Sequence, residues 1–119
     1  MRNFTRFALL AVIAAAAFAA DVTGTWTASF DTQVGQQNYT YTFKQDGNKL
    51  TGTAKSNLAE GTITNGTVNG DDITFTENLT YQDMPLQIVY KGKISGDEIK
   101  FTRTVAEGFD EQLVAKRAK

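Results

Sequence analysis

The chain has 119 residues, with 12 Lys and Arg against 13 Asp and Glu, no cysteine and no histidine. A formal charge of −1 gives no basic face of the kind nucleic acid requires. Without Cys or His, most zinc sites, thiol and imidazole nucleophile systems and any Ser-His-Asp arrangement are excluded, and stability has to come from a packed core rather than disulfides.

In chain order, the first feature is an export signal over residues 1–19. Arg2 and Arg6 precede the apolar run 7–18, and the small residues Ala17 and Ala19 flank Phe18, which matches the charged, apolar and cleavage regions of a secretory leader. Cleavage after Ala19 is predicted, because cleavage after Ala20 puts Phe18 where a small side chain is required. The apolar run rises about 18 Å as a helix, short of a hydrocarbon core of about 30 Å, so no membrane span is expected after cleavage. No cysteine stands there to carry a lipid. Residues 20–119 are then a single domain, secreted or periplasmic, with ten Lys and Arg against thirteen Asp and Glu and a net charge of −3.

From Val22 onward the apolar residues recur with period two, the mark of half-buried strands. Trp26, Ala28 and Phe30 share one face of the first, and Tyr39, Tyr41 and Phe43 one face of the second. After a turn at Asp46-Gly47-Asn48, Leu50, Gly52 and Ala54 alternate with polar residues. Residues 61–68 form a weaker fourth strand, with a bulge expected at Asn65-Gly66. Ile73 and Phe75, then Leu79 and Tyr81 beyond an irregularity near Glu77, make the fifth. Pro85 is placed in the following loop. Leu86, Ile88, Tyr90, Gly92 and Ile94 form the sixth strand; Ile99, Phe101, Arg103 and Val105 share a face of the seventh, and Leu113, Ala115 and Arg117 a face of the last.

Asp46-Gly47, Asn69-Gly70 and Ser95-Gly96 punctuate these runs as hairpin turns. Residues 68–76 (VNGDDITFT) also repeat as 94–102 (ISGDEIKFT), 26 residues on, a spacing that fits a repeated hairpin. The predicted fold is all-β: an antiparallel up-and-down meander closed into a small barrel of about eight strands, preceded by a signal-peptide helix. Closure removes the two bare edges that an open sheet exposes. A β-sandwich is the alternative that the same alternation allows.

Gly24-Thr25-Trp26 on the first strand resembles the opening Gly-x-Trp of the calycin barrels, the lipocalins and avidins, and Leu50-Thr51-Gly52-Thr53 is similar to an avidin-type Leu-Thr-Gly-Thr. The chain is also similar to small bacterial secreted domains with a repeated Gly-Asp-x-Ile-x-Phe pattern. The lipocalin resemblance implies a late arginine stacked on Trp26 to close one end of the barrel, a part open to Arg117 or Arg103. It does not extend to an avidin biotin site: Trp26 is the sole tryptophan, and Ala28 stands where the avidin pattern has a ligand-binding Asn, although Ser56 matches an avidin Ser.

The resemblance makes a small apolar or aromatic molecule the expected ligand, with Trp26, Tyr39, Tyr41, Tyr81, Tyr90 and Arg103 as candidate contacts and a mouth beside residues 81–86. Trp26 with Arg117 is the candidate plug, and a cation–π contact of that kind contributes about 0.5–2 kcal/mol. The alternative is a barrel filled by its own rings, acting as a structural or interaction domain of the periplasm or envelope through its Thr-rich outer wall. Asp71-Asp72 and Asp97-Glu98 occupy equivalent turns; they are read as solvated turn residues in preference to a calcium site or the carboxylate pair of a hydrolase. No cofactor or metal is expected, and the sequence does not specify oligomeric state.

Overall fold

In the computed structural model, residues 21–105 and 108–118 are described; the predicted signal peptide lies outside them. The strands are β1 (Gly24–Thr32), β2 (Gly35–Asp46), β3 (Lys49–Lys55), β4 (Glu60–Asn69), β5 (Asp72–Tyr81), β6 (Met84–Ser95), β7 (Glu98–Val105) and β8 (Phe109–Arg117). Each pairs antiparallel with the next, and β8 returns to β1 through Trp26↔Arg117 and Thr27↔Lys116, closing a barrel in chain order. The meander is thus the predicted one, and the sandwich is set aside.

Period-two sequence becomes inside and outside. Along β2, Gln37, Tyr39, Tyr41 and Phe43 are buried while the residues between them are exposed. The turns after β2, β4 and β6 each have two residues, Gly47-Asn48, Gly70-Asp71 and Gly96-Asp97, with the glycine at φ 62°, 63° and 62°. A positive φ at the first position alone is the type II′ geometry that matches strand twist. The two copies of the repeat therefore occupy equivalent hairpins, with Phe75 and Phe101 both inward.

Rings fill the middle of the barrel. Phe30, Tyr39, Tyr41 and Phe43 stack in succession with centroids 5.6, 5.2 and 5.8 Å apart, and Phe75 stacks on Tyr90 at 4.4 Å. Phe101 meets Phe75 and Tyr90 edge-on at 5.6 and 5.4 Å. Such pairs add about 0.5–1.5 kcal/mol each beyond their buried area. Small inward residues accommodate the rings: a Cβ on Gly92 would lie 2.6 Å from Phe101 Cδ1.

Two local expectations are corrected. β5 runs without irregularity at Glu77, which pairs with Ile88 in register and points inward between Phe75 and Leu79. Pro85 belongs to β6 rather than a loop, opposite Thr80, and the turn is Gln82-Asp83. Alternation from the Tyr81↔Met84 pair that closes the turn aims the proline's missing N–H away from β5, on a stretch of β6 before its pairing with β7 begins at Val89. β8 begins at Phe109, four residues before Leu113, which brings Glu111 onto the inward face opposite Arg103.

Candidate ligand site at the open end of the barrel

The N-terminal segment covers one end of the barrel. Trp26 is fully buried there and donates from its indole Nε1 to Val22 O at 2.9 Å. The Arg117 guanidinium lies 4.5 Å from the Trp26 ring centroid. Its Nη1 and Nη2 donate to Thr23 O and Asp21 O at 3.1 and 3.0 Å, and Nε to Asp97 Oδ1 at 3.0 Å. Of the two arginines open to this part, Arg117 is the one over Trp26.

Arg103 lies deeper, 3 % exposed, among Phe30, Tyr39 and Tyr90, whose ring centroids are 5.1, 5.1 and 5.5 Å from Cζ. It belongs to a buried polar network. Arg103 Nη1 donates to Tyr90 OH at 2.9 Å, Tyr90 OH donates to Glu77 Oε1 at 2.8 Å, and Tyr39 OH donates to Glu77 Oε2 at 2.9 Å. Tyr41 OH joins Tyr90 OH at 3.0 Å. Burial pushes the Glu77 carboxyl above its usual range, a rise opposed by the Tyr90 hydrogen bond, the Arg103 charge and the Tyr39 hydrogen bond. Burial and the Glu77 charge likewise push the Tyr39 phenol up to about 12. For Arg103, burial opposes the charge, but the oxygens around it more than restore it, so the guanidinium stays protonated.

Above this network, toward the hairpins that follow β1, β3 and β5, a cavity of about 190 Å³ opens. Leu79, Leu86, Ile88 and Val105 supply apolar wall, Tyr39, Arg103, Glu111 and Gln37 polar contacts, and Val34, Leu58 and Tyr81 the rim. The size limits the occupant. A sealed apolar cavity of about 150 Å³ holds a benzene molecule, whereas pockets for drug-sized ligands run from about 300 Å³. One ring, or a short chain, is what this space accommodates.

At the base of the cavity Arg103 Nε and Glu111 Oε1 approach to 2.9 Å, with side chains 3 % and 10 % exposed. The N–H is not directed at the oxygen: both atoms are buried and neither has a hydrogen-bond partner. The contact is a charge pair without an aligned hydrogen bond. A shallower depression of about 640 Å³ lies against Thr53, Thr62, Asn78 and Thr80 on the outer wall. It has no buried polar side chain and is a surface feature.

The candidate residues from the sequence separate into three levels. Trp26 and Arg117 occupy the covered end, Tyr41 and Tyr90 the filled middle, and Tyr39, Tyr81 and Arg103 line the cavity together with Leu86. Glu77, Glu111 and Gln37 escaped sequence reasoning. Each continues an inward apolar series by one further step of two residues (Phe75 to Glu77, Leu113 to Glu111, Tyr39 to Gln37), so the signal was parity rather than residue type. Asp72 and Asp97 are exposed and paired with Lys93 and Arg117, and among the described residues no three His, Cys, Asp or Glu side chains cluster as metal ligands. No helix among those residues is long and apolar enough to cross a membrane.

No protein-family model matches the chain, and no curated protein matches it. The eight-stranded antiparallel barrel itself is compatible with the calycin type of architecture that Gly24-Thr25-Trp26 resembles.

Proposed function

We propose that this protein is an exported binding barrel, acting in the periplasm or outside the cell, that holds a single-ring aromatic or short apolar molecule at its open end. The observation that carries this reading is the cavity of about 190 Å³, apolar on its walls and polar at its base. Small-molecule sites combine an apolar lining with a few fixed polar groups in this way. Binding, rather than catalysis, is the role assigned to Arg103 and Glu111. A titration of the protein with toluene, followed by amide chemical shifts, tests it: shifts confined to residues around Leu79, Leu86, Ile88 and Val105 are expected. Absence of any shift there at toluene saturation overturns it.

A second reading has its own support. Tyr41, Phe43, Phe75, Tyr90 and Phe101 leave the middle of the barrel filled, so a domain that works only through its outer wall is the alternative. Retention of a small molecule by protein isolated from its own host, seen by native mass spectrometry, decides for the first reading over the second.

A further inference from the structure

We infer that the ring held at the open end is carried by a basic peptide, an aromatic side chain flanked by lysine or arginine and presented by a partner protein. This inference rests on the binding reading above and names the partner of the same site.

The apolar surface of this end extends past the cavity. Met84 stands opposite Tyr81 and Phe109 opposite Val105, on the inward series of β6 and β8. Tyr81 and Val105 line the cavity, whereas Met84 and Phe109 continue the wall above it and are 67 % and 52 % exposed. On the other two connections, Val34 and Leu58 are exposed at the rim as well. A free ring small enough for about 190 Å³ leaves Met84 and Phe109 uncovered. A polypeptide lying across the mouth covers them. Protein interfaces are anchored in this way, by an aromatic side chain sunk in a pocket with a polar rim around it.

Charge selects the peptide. Each connection at this end carries an exposed carboxylate: Asp31 beside β1–β2, Glu60 beside β3–β4, Asp83 within β5–β6 and Asp110 beside β7–β8. None of these is ion-paired among the described residues, whereas at the covered end Asp72 and Asp97 pair with Lys93 and Arg117. Over residues 28–39, 53–63, 77–88 and 102–113, the strand halves nearest the mouth, Lys55 is the one exposed cation among the described residues. A rim of this kind attracts a cationic partner and repels an anionic bilayer or a second copy of itself.

Acetylated, amidated pentapeptides test this: Lys-Lys-Phe-Lys-Lys, Ser-Ser-Phe-Ser-Ser, Lys-Lys-Ala-Lys-Lys and Glu-Glu-Phe-Glu-Glu, each titrated beside toluene by calorimetry and amide shifts. At about 20 mM salt the lysine–phenylalanine peptide is expected to bind at least about tenfold more tightly than the serine peptide. At about 300 mM salt the two should converge as charge is screened. Shifts are expected around Leu79, Leu86, Ile88 and Val105, as for toluene, and at Met84 and Phe109 besides. Equal affinity of the lysine and serine peptides at low salt overturns the inference, as does tightest binding by the glutamate peptide. An alanine peptide that binds as tightly as its phenylalanine counterpart also overturns it, and so does adsorption to phosphatidylcholine or phosphatidylglycerol vesicles with no peptide bound. In each of these cases toluene binding leaves the binding barrel standing. No binding by toluene or by any peptide removes the cavity reading and this inference with it. Asp31→Asn combined with Asp83→Asn and Asp110→Asn changes exposed residues that do not line the cavity. Toluene affinity should hold there, while the lysine–phenylalanine peptide loses at least about fivefold at low salt. Full peptide affinity in the folded variant overturns the inference, and the wild-type salt series decides should the variant not fold.

Discussion

At the covered end, each two-residue turn is tied to the strand beyond it. Val68 N–H donates to Asn48 O, Ile94 N–H to Asp71 O and Arg117 N–H to Asp97 O, at 2.9, 2.8 and 2.9 Å, and Ala118 N–H closes the ring on Thr25 O at 2.8 Å. The opposite end is built differently. Its β5–β6 turn holds two non-glycine residues, Gln82 and Asp83, at φ 52° and 66°, a conformation that costs about 1–2 kcal/mol per residue. Its hairpins present Val34, Leu58, Met84 and Phe109 to solvent. Turn ties and the Trp26–Arg117 contact secure one end, while strain, exposed apolar side chains and unsatisfied polar atoms gather at the other. On the proposed reading, the means of holding together and the means of recognition occupy opposite ends of this small barrel.

The largest effect that separates the ends is expected from Trp26→Ala. Replacing a fully buried aromatic side chain with alanine costs about 3–5 kcal/mol, read as a lower urea midpoint. Trp26 does not line the cavity, so the folded fraction should keep its toluene affinity within about twofold, a difference below roughly 0.5 kcal/mol. A substantial loss of affinity would show that the two ends are coupled through the ring stack.

The covered end was also the legible one. Its turns carry glycine in short local patterns, and the two copies of the repeat are visible by eye in the sequence. Trp26 sits in a motif with a known likeness. The polar base of the cavity was harder to read because its chemistry is non-local. Glu77 is satisfied by Tyr39, 38 residues away, and by Tyr90, 13 residues away. A rule that equates inward with apolar reads a lone carboxylate as a break in the strand. Arg103 falls on the inward face by parity, whereas its carboxylate partner Glu111 stands two residues before the apolar series of β8 opens at Leu113, where no apolar residue marks the inward face.

Acid titration sharpens the comparison, since Glu77, buried beneath the cavity, and Asp21, at the covered end, shift in opposite directions. Glu77 has its folded pKa raised above the 4.5 of a free glutamate, first by burial. Its contribution to stability is fully present below that value and is lost as pH rises through the folded pKa. Asp21, at the covered end, is lowered from 3.8, first by a hydrogen bond from the Thr23 backbone. Its contribution is present above that value and is lost as pH falls through the folded pKa. Glu77→Gln should therefore abolish the decline in stability on going from about pH 4.5 upward, while the loss at lower pH remains. Urea unfolding across pH 2–8 measures both, and an unchanged upper slope in Glu77→Gln would place its origin elsewhere.

A smaller effect is expected from relieving the strain at the mouth. Gln82→Asn with Asp83→Gly gives the turn the residues that its two positive φ angles favour, and should raise unfolding free energy by about 1 kcal/mol. The measurement is the urea midpoint at unchanged slope. Since neither residue lines the cavity, toluene affinity should hold. A fall in affinity would mean that the strained turn sets the position of Tyr81 and Leu86.

The smallest change in stability, and the clearest mirror of Trp26→Ala, is expected from Leu58→Ser. Leu58 is 45 % exposed on the β3–β4 connection, where Ser56 Oγ accepts from both the Leu58 and Ala59 amides at 3.1 and 3.2 Å. The connection is held by Ser56 and not by the leucine side chain, so removing that side chain should alter stability by no more than about 0.5 kcal/mol. Leu58 does line the cavity. Losing its apolar contact with a bound ring should cost about 1 kcal/mol, roughly fivefold in the toluene dissociation constant. Trp26→Ala should thus change stability without affinity, and Leu58→Ser affinity without stability. If Leu58→Ser lowered the urea midpoint as far as Trp26→Ala does, the rim would be part of the core, and the division of labour between the two ends would not hold.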